Sequence, residues 1–241
     1  MLCTKGAHGR VLNVLQNMYT KLQSCVSNEY HLSDFFNCSV GTRQGCMISP
    51  FLFIFYLNEL VRTCAELPGI YINEDHKHLN MLLYADNLVI IGDQVGRVQK
   101  LLDALELFCK KWGLSVNMNK TKAMVYRNGG IIRKNEKFYF ENNQIENVSY
   151  YKYLGVLMST RLSWTPAQKY LASQADRACY SLKNIIYNCD YSFKIANKLF
   201  DTCVMPILNY GSELFATNIH ECIEAVKIRF YKQLLGVGRN T

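Results

Sequence analysis

A single carboxylate, Asp86, stands in the tetrapeptide Tyr84-Ala85-Asp86-Asn87 between two apolar runs. Leu82, Leu83 and Tyr84 enter it and Leu88, Val89, Ile90 and Ile91 leave it, a pattern that predicts a β-hairpin with its polar residues at the tip. Asp and Asn tolerate left-handed backbone, which suits them to the turn. A carboxylate at the tip of a buried hairpin is fixed in direction and desolvated on one side. That suits a ligand of a divalent ion, provided a second carboxylate faces it across a small gap. The same four residues also make an ordinary Asp-Asn turn, and the hairpin alone does not choose between the two.

The elements that must hold this hairpin can be read from apolar spacing. Gly9 to Ser27 carries Val11, Leu12, Val14, Leu15, Met18, Tyr19 and Leu22 at helical intervals and predicts an amphipathic helix, followed by short strands up to Val40. Ser49 as cap and Pro50 at the first helical position start a second helix, whose apolar stretch Cys46 to Leu57 is read as buried. Val95 to Lys111 predicts a third helix with Val98, Leu101, Leu102, Leu105 and Phe108 on one face, stopped by Gly113. Leu114 to Tyr126 alternates as a strand, Asn128-Gly129-Gly130 turns the chain, and Phe138 to Phe140 and Tyr150 to Leu157 are further strands. At Thr165 the character becomes helical, with Thr165 and Gln168 at capping-box spacing and Pro166 between them. Tyr170, Leu171, Ala178, Cys179, Leu182 and Ile186 share a face there, and helices near Phe193 to Leu208 and Ile219 to Leu235 complete a small bundle. The reading divides the chain into residues 1–160 and 161–241.

Four other segments stand in a fixed order around the hairpin. They are Gly41-Thr42-Arg43-Gln44-Gly45-Cys46-Met47-Ile48-Ser49-Pro50-Phe51-Leu52-Phe53, then Trp112 to Lys122, then Tyr153-Leu154-Gly155, then Pro206-Ile207-Leu208-Asn209-Tyr210-Gly211-Ser212-Glu213. The first resembles a G-x-R-Q-G-C-x-x-S-P-x-L-F block, the second a G-L-x-x-N-x-x-K-T block, the third a Y-L-G block and the hairpin a YxDD signature. Together they resemble reverse transcriptases of the non-LTR retrotransposon branch. The resemblance implies an α+β fold: a right-hand polymerase palm with partial fingers over 1–160, and a helical thumb-like or connection region over 161–241. It implies RNA-directed DNA polymerisation, a nucleotidyl transfer onto a primer 3′ end, with Mg²⁺ or Mn²⁺ as cofactor. The implied partners are an RNA template, a DNA primer or RNA–DNA hybrid, and dNTP.

By the same resemblance Asp86 is the metal ligand, with Asn87 beside it at the second catalytic position. Arg43 would hold phosphate, and Gln44 and Gly45 would form a turn against template and incoming nucleotide, where glycine lets backbone come close. Tyr84 would pack beside the metal site. Lys120 would stabilise charge or give a proton near the leaving pyrophosphate, and Tyr153, Leu154 and Gly155 would form the turn that supports the primer end. Plain surface charge for Lys120, a core role for Tyr84 and a simple helix-starting turn for Arg43 to Gly45 also fit those residues.

Two departures bear on activity. The second hairpin aspartate is Asn87, whose amide brings no charge to offset two divalent cations. The family's other catalytic aspartate lies in an F-x-D-x-x-x-A-F-D type segment upstream of the G-x-R-Q-G block, and before Gly41 this chain has only Glu29 and Asp34 as acids. Asp34, in His31 to Asn37, reads as a solvated turn residue. The expectation is therefore a chain that begins after the first catalytic strand and does not polymerise alone. Two alternatives remain: a catalytically dead, nucleic-acid-binding remnant of a retrotransposon, and an unrelated α+β protein with a chance turn.

Composition narrows the class further. At 241 residues with 49% hydrophobic content and a mean hydropathy of −0.06, the chain can bury a real core. The N-terminus, Met1 to Gly6, has no apolar core of signal-peptide length, and the longest apolar stretch, Cys46 to Leu57, is too short to span a bilayer, so the expectation is an intracellular protein of cytoplasm or nucleus without membrane attachment. The ten cysteines include no C-x-x-C pair, and His76 and His78 flank Lys77 in a polar stretch, so neither a zinc site nor a disulfide framework is expected. Net charge is +8, placed unevenly: residues 1–119 hold 10 Lys+Arg and 10 Asp+Glu, residues 120–241 hold 17 and 9. A one-sided basic excess suits a nucleic-acid path, and it also suits a solubilising surface.

Overall fold

Hydrogen bonds of polar side chains decide where several of these elements start and stop. The computed structural model describes residues 3, 6, 8–20, 22–38, 41, 43, 45–72, 78–127, 136–189 and 191–237. Gln44, His76 and the turn at Asn128-Gly129-Gly130 lie outside the described residues. Two compact units emerge, Met1–Ser115 with Tyr139–Asn142, and Val116–Phe138 with Asn143–Thr241.

In the first unit, helix α1 (Arg10–Tyr19) is shorter than its apolar spacing predicts. Thr20 turns to extended backbone while its hydroxyl donates to Gln16 O over 2.6 Å. The remainder becomes strands β1 (Gln23–Ser24), β2 (Ser27–Asn28), β3 (His31–Leu32) and β4 (Phe36–Asn37), paired antiparallel as β1–β4 and β2–β3. Helix α2 (Ser49–Cys64) begins at Ser49 itself, so the serine does not cap it. Its hydroxyl shares a 2.6 Å hydrogen bond with the Tyr19 hydroxyl instead.

Strands β5 (Ile70–Tyr71) and β6 (His78–Leu79) pair antiparallel, followed by the hairpin of β7 (Met81–Tyr84) and β8 (Asn87–Ile90). Gly69 permits the first pairing, because a Cβ there would lie 2.1 Å from Leu79 O. Helix α3 (Val95–Trp112) buries Leu101, Leu102, Leu105, Phe108 and Cys109 and ends at Gly113 in left-handed backbone, as its spacing predicts. It packs on α2 through Tyr56, whose ring lies 4.9 Å from that of Trp112 and whose hydroxyl donates to Trp112 O over 2.6 Å. Burial in α2 is confined to this side: Leu60 and Cys64 are fully enclosed, while Phe51 is 65% exposed and Ile54 54%. The expectation of a buried helix over Cys46 to Leu57 is thus corrected, since α2 is apolar on more faces than α3 covers.

In the second unit, the strand expected over Leu114 to Tyr126 reduces to β9 (Lys122–Ala123). Asn117 interrupts it by accepting, through its backbone carbonyl, from the N–H groups of Lys120 and Thr121. Strand β10 (Phe138–Phe140) follows, with its last two residues grouped in the first unit, where Gln99 bonds both the N–H and the carbonyl of Tyr139. Strand β11 (Asn143–Asn147) pairs in parallel with β9. Strands β12 (Tyr150–Tyr153) and β13 (Val156–Ser159) form a hairpin across the strand stretch expected over Tyr150 to Leu157, and its turn falls within Tyr153-Leu154-Gly155, where Leu154 and Gly155 both take positive φ, 45° and 86°.

Helices α4 (Thr165–Asn188), α5 (Phe193–Cys203), α6 (Met205–Leu208) and α7 (Glu221–Leu234) build the bundle. Pro206 splits the single helix expected over Phe193 to Leu208, since it has no N–H to give to Thr202. Around Phe200, Val204 and Val226 the core is fully buried, with Phe200 and Phe230 rings 4.8 Å apart. Gln168, 1% exposed, does not complete a capping box: it accepts from His220 N–H and donates to Asn218 O over 2.8 Å.

Candidate functional site

The Asp86 hairpin is a two-residue turn. Tyr84 pairs with Asn87, which places Asn87 at the start of β8 and leaves Ala85 and Asp86 at the tip. Positive backbone φ falls on Ala85, at 51°, and not on Asp86 or Asn87. A methyl group is carried there at a cost that glycine would not pay. The hairpin is also less buried than its sequence implies: Met81 is enclosed, but Leu82 is 43% and Tyr84 64% exposed. Asp86 and Asn87 are exposed, and Asn87 Nδ2 lies 3.5 Å from Asp86 Oδ1, at the outer limit of a hydrogen bond. The carboxylate is therefore directed but not desolvated.

Arg43 and Gly45 lie in a turn before α2 and are both exposed. Cys46 N–H donates to Arg43 O, which closes the turn. Gly45 has φ 80°, and a Cβ there would meet nothing within 4 Å among the described residues. Behind the turn, the Cys46 thiol is held down to about 7 from the ordinary 9.0 by the Ser49 hydroxyl, then by the backbone N–H groups of Ile48 and Ser49 at the start of α2. Among the described residues no hydrogen bond or ion pair joins Arg43 or Gly45 to the turn at Asp86.

In the second unit the structure brings two of the sequence segments together, Tyr153-Leu154-Gly155 and the one that carries Tyr210, and ties Lys120 to the neighbouring Tyr151. Lys120 closes the Asn117 turn, its N–H reaching Asn117 O at 3.1 Å and Oδ1 at 3.2 Å, and its carbonyl accepts from the Tyr151 hydroxyl at 2.9 Å. Its exposed side chain enters no ion pair among the described residues. Tyr153 is half-buried and Leu154 carries the left-handed turn with Gly155. The Tyr210 hydroxyl donates to Leu154 O over 2.6 Å, and a Cβ at Gly155 would lie 2.7 Å from the Tyr210 ring. Gly211 packs on Val156 in the same way, with 3.0 Å available. The aromatic lock on Gly155 is absent from the sequence reading, although both of its segments are recognised there.

A family model described as "Reverse transcriptase (RNA-dependent DNA polymerase)" matches residues 7–158. The chain belongs to that family. A transposon-derived protein of Caenorhabditis elegans is 28% identical over 67% of this chain and 58% of its own length. A Drosophila melanogaster protein named "Probable RNA-directed DNA polymerase from transposon BS" is 22% identical over 73% of this chain and 20% of its own length. The "Retrovirus-related Pol polyprotein from type-1 retrotransposable element R2" of Popillia japonica is 28% identical over 48% of this chain and 17% of its own length. This reverse-transcriptase chain thus spans less than two thirds of each of these relatives.

Reverse transcriptases use a divalent metal, and the donors here can be compared with that need. Among the described residues no group of three or more His, Cys, Asp and Glu could hold a metal ion. At the hairpin the donor set is one carboxylate and one amide, and the amide turns its Nδ2 end toward Asp86. One negative charge does not fit a pair of divalent ions, which take carboxylates from two strands. Among the described residues no helix is long and apolar enough to cross a membrane.

Proposed function

We propose that this chain is the template-and-primer-holding part of a non-LTR retrotransposon reverse transcriptase, and that by itself it binds nucleic acid without extending a primer. The family match over 7–158 carries this reading. The reaction of the whole enzyme joins the primer 3′ oxygen to the α-phosphorus of a dNTP, breaks the bond to the β-phosphate bridging oxygen and releases pyrophosphate. Residues 1–160 would serve as partial fingers and palm, and residues 161–241 as the thumb-like region.

Within this reading Arg43 holds phosphate, and the open φ of Gly45 leaves its backbone free to approach the nucleotide, with Gln44 beside it. Tyr84, exposed next to Asp86, offers a ring to the substrate. Lys120 stabilises charge on the pyrophosphate side. The Tyr153-Leu154-Gly155 turn supports the primer end, kept rigid by Tyr210. The intact parent would use Mg²⁺ or Mn²⁺, while the single carboxylate at Asp86 gives this chain weak metal affinity at most.

A second reading is favoured by one observation. With Asn87 in the second position, the chain fits a catalytically dead remnant that retained binding. Primer extension on an RNA template, with Mg²⁺ and all four dNTPs, tests the proposal when paired with binding of the same template–primer. Binding without extension is the expected result. Extension by the unaltered chain, or failure to bind, would refute it.

A further inference from the structure

Helices α4 and α7 border a shallow, open-faced groove lined among others by Lys169, Ser173, Asp176, Arg177, Tyr180 and Arg229. Its charge is one-sided. Arg229 Nη2 contacts both oxygens of Asp176, at 2.9 and 2.6 Å, so the carboxylate is already matched. Lys169 and Arg177 are exposed and enter no ion pair among the described residues, which leaves two positive charges facing the groove.

Tyr180 stands one turn beyond Arg177 on the same stripe and is 66% exposed. Its ring has no aromatic neighbour among the described residues, and Lys183 Nζ lies 5.9 Å from its centroid. Two turns further on, beyond the residues that line the groove, Tyr187 is 60% exposed and is tethered by its hydroxyl to Gln233 O at 3.1 Å. Cations interleaved with outward aromatic rings along a groove are the arrangement that holds single-stranded nucleic acid: phosphates take the charges and bases take the ring faces. A duplex offers no such face, because its bases already stack on each other.

Resting on the nucleic-acid reading above, we propose that the α4–α7 groove binds an unpaired polynucleotide strand, with phosphates on Lys169 and Arg177 and a base stacked on Tyr180. The strand held here is distinct from the paired template–primer.

Fluorescence anisotropy on the full chain tests this with a labelled oligouridylate of about 12 nucleotides, run beside the same length of RNA–DNA hybrid. Tyr180→Ala is expected to weaken oligouridylate binding about tenfold while leaving the hybrid within about twofold, and Tyr180→Trp to restore it. Lys169→Gln with Arg177→Gln is expected to reduce the salt slope of log K for the oligouridylate by about 1.4. All three side chains are exposed, and a circular dichroism melt confirms that the variants fold. Substituting an oligothymidylate names the strand as RNA or DNA by its relative affinity, and either assignment supports the groove provided Tyr180→Ala weakens it. Oligouridylate binding unchanged by Tyr180→Ala would overturn the inference. If the hybrid binds and neither single strand does, the groove proposal fails and the proposed function stands. If nothing binds, both fail.

Discussion

Tyr210 and Gly155 form a lock: the tyrosine ring lies where a Gly155 side chain would stand, and the tyrosine hydroxyl bonds the neighbouring Leu154 carbonyl at 2.6 Å. The pair fixes a left-handed turn, φ 45° and 86°, between β12 and β13. It also ties residues 56 positions apart into one local structure. Gly155→Ala must both strain the backbone and displace the ring. It is expected to cost about 1–3 kcal/mol, whereas Tyr210→Phe removes only the hydrogen bond and costs about 1 kcal/mol. Urea unfolding of each variant measures the two losses, and a larger loss from Tyr210→Phe than from Gly155→Ala would contradict the lock.

Gln168 is the best-enclosed polar side chain of the bundle, at 1% exposure, and it satisfies a donor and an acceptor in the loop before α7. Gln168→Met keeps the volume and strands His220 N–H and Asn218 O. Leaving such groups unpaired costs about 1–3 kcal/mol each, so urea unfolding should show a loss of about 2–4 kcal/mol. A neutral result would mean that the loop reaches water.

Cys46 titrates at about 7, against an ordinary 9.0, because Ser49 and the first N–H groups of α2 favour its thiolate. Its folded pKa is lowered. The thiolate's contribution to stability is therefore full above 9.0 and is lost as pH falls through about 7. Burial acts oppositely on Cys179, raised to about 11. Iodoacetamide labelling followed by mass spectrometry should show Cys46 modified with a midpoint near 7 and Cys179 protected. Ser49→Ala should move the Cys46 midpoint upward; an unchanged midpoint would remove the hydroxyl from the account.

Much of this architecture is legible in the sequence where one local rule governs it. The apolar face of α3 and its stop at Gly113 follow from spacing and from left-handed glycine, and the structure has both. The Asp86 hairpin likewise follows from its flanking apolar runs. The reading fails where a distant partner takes a side chain that a local rule had assigned. Ser49 leaves its cap for Tyr19, and Gln168 leaves the capping box for His220 and Asn218. Asn117 closes a turn inside an alternating stretch, and Ala85 takes the positive φ expected of Asp86 or Asn87. At the site, the motifs mark which segments matter, but nothing local in Tyr153-Leu154-Gly155 or in Tyr210-Gly211 says that they touch.

Asn87→Asp should leave primer extension absent, because a second carboxylate on the same hairpin still gives a pair of ions ligands from one strand only. The substitution also places two anions side by side at an exposed turn, so it should raise Mg²⁺ affinity modestly. Isothermal titration with Mg²⁺ and a primer-extension gel check the two statements. Processive synthesis by the Asn87→Asp chain would show that another carboxylate completes the site.

The most direct test of the central claim is the salt dependence of RNA–DNA hybrid binding to the full chain. Phosphate contacts release counterions, so log K should fall linearly with log salt concentration. Lys194→Gln with Lys198→Gln, drawn from the basic half, should flatten that slope more than Arg62→Gln with Lys100→Gln from the half of zero net charge. A steep slope, flattened by the first pair, is the result predicted for a chain that holds template and primer. Binding that is absent, or that does not change with salt, would contradict it.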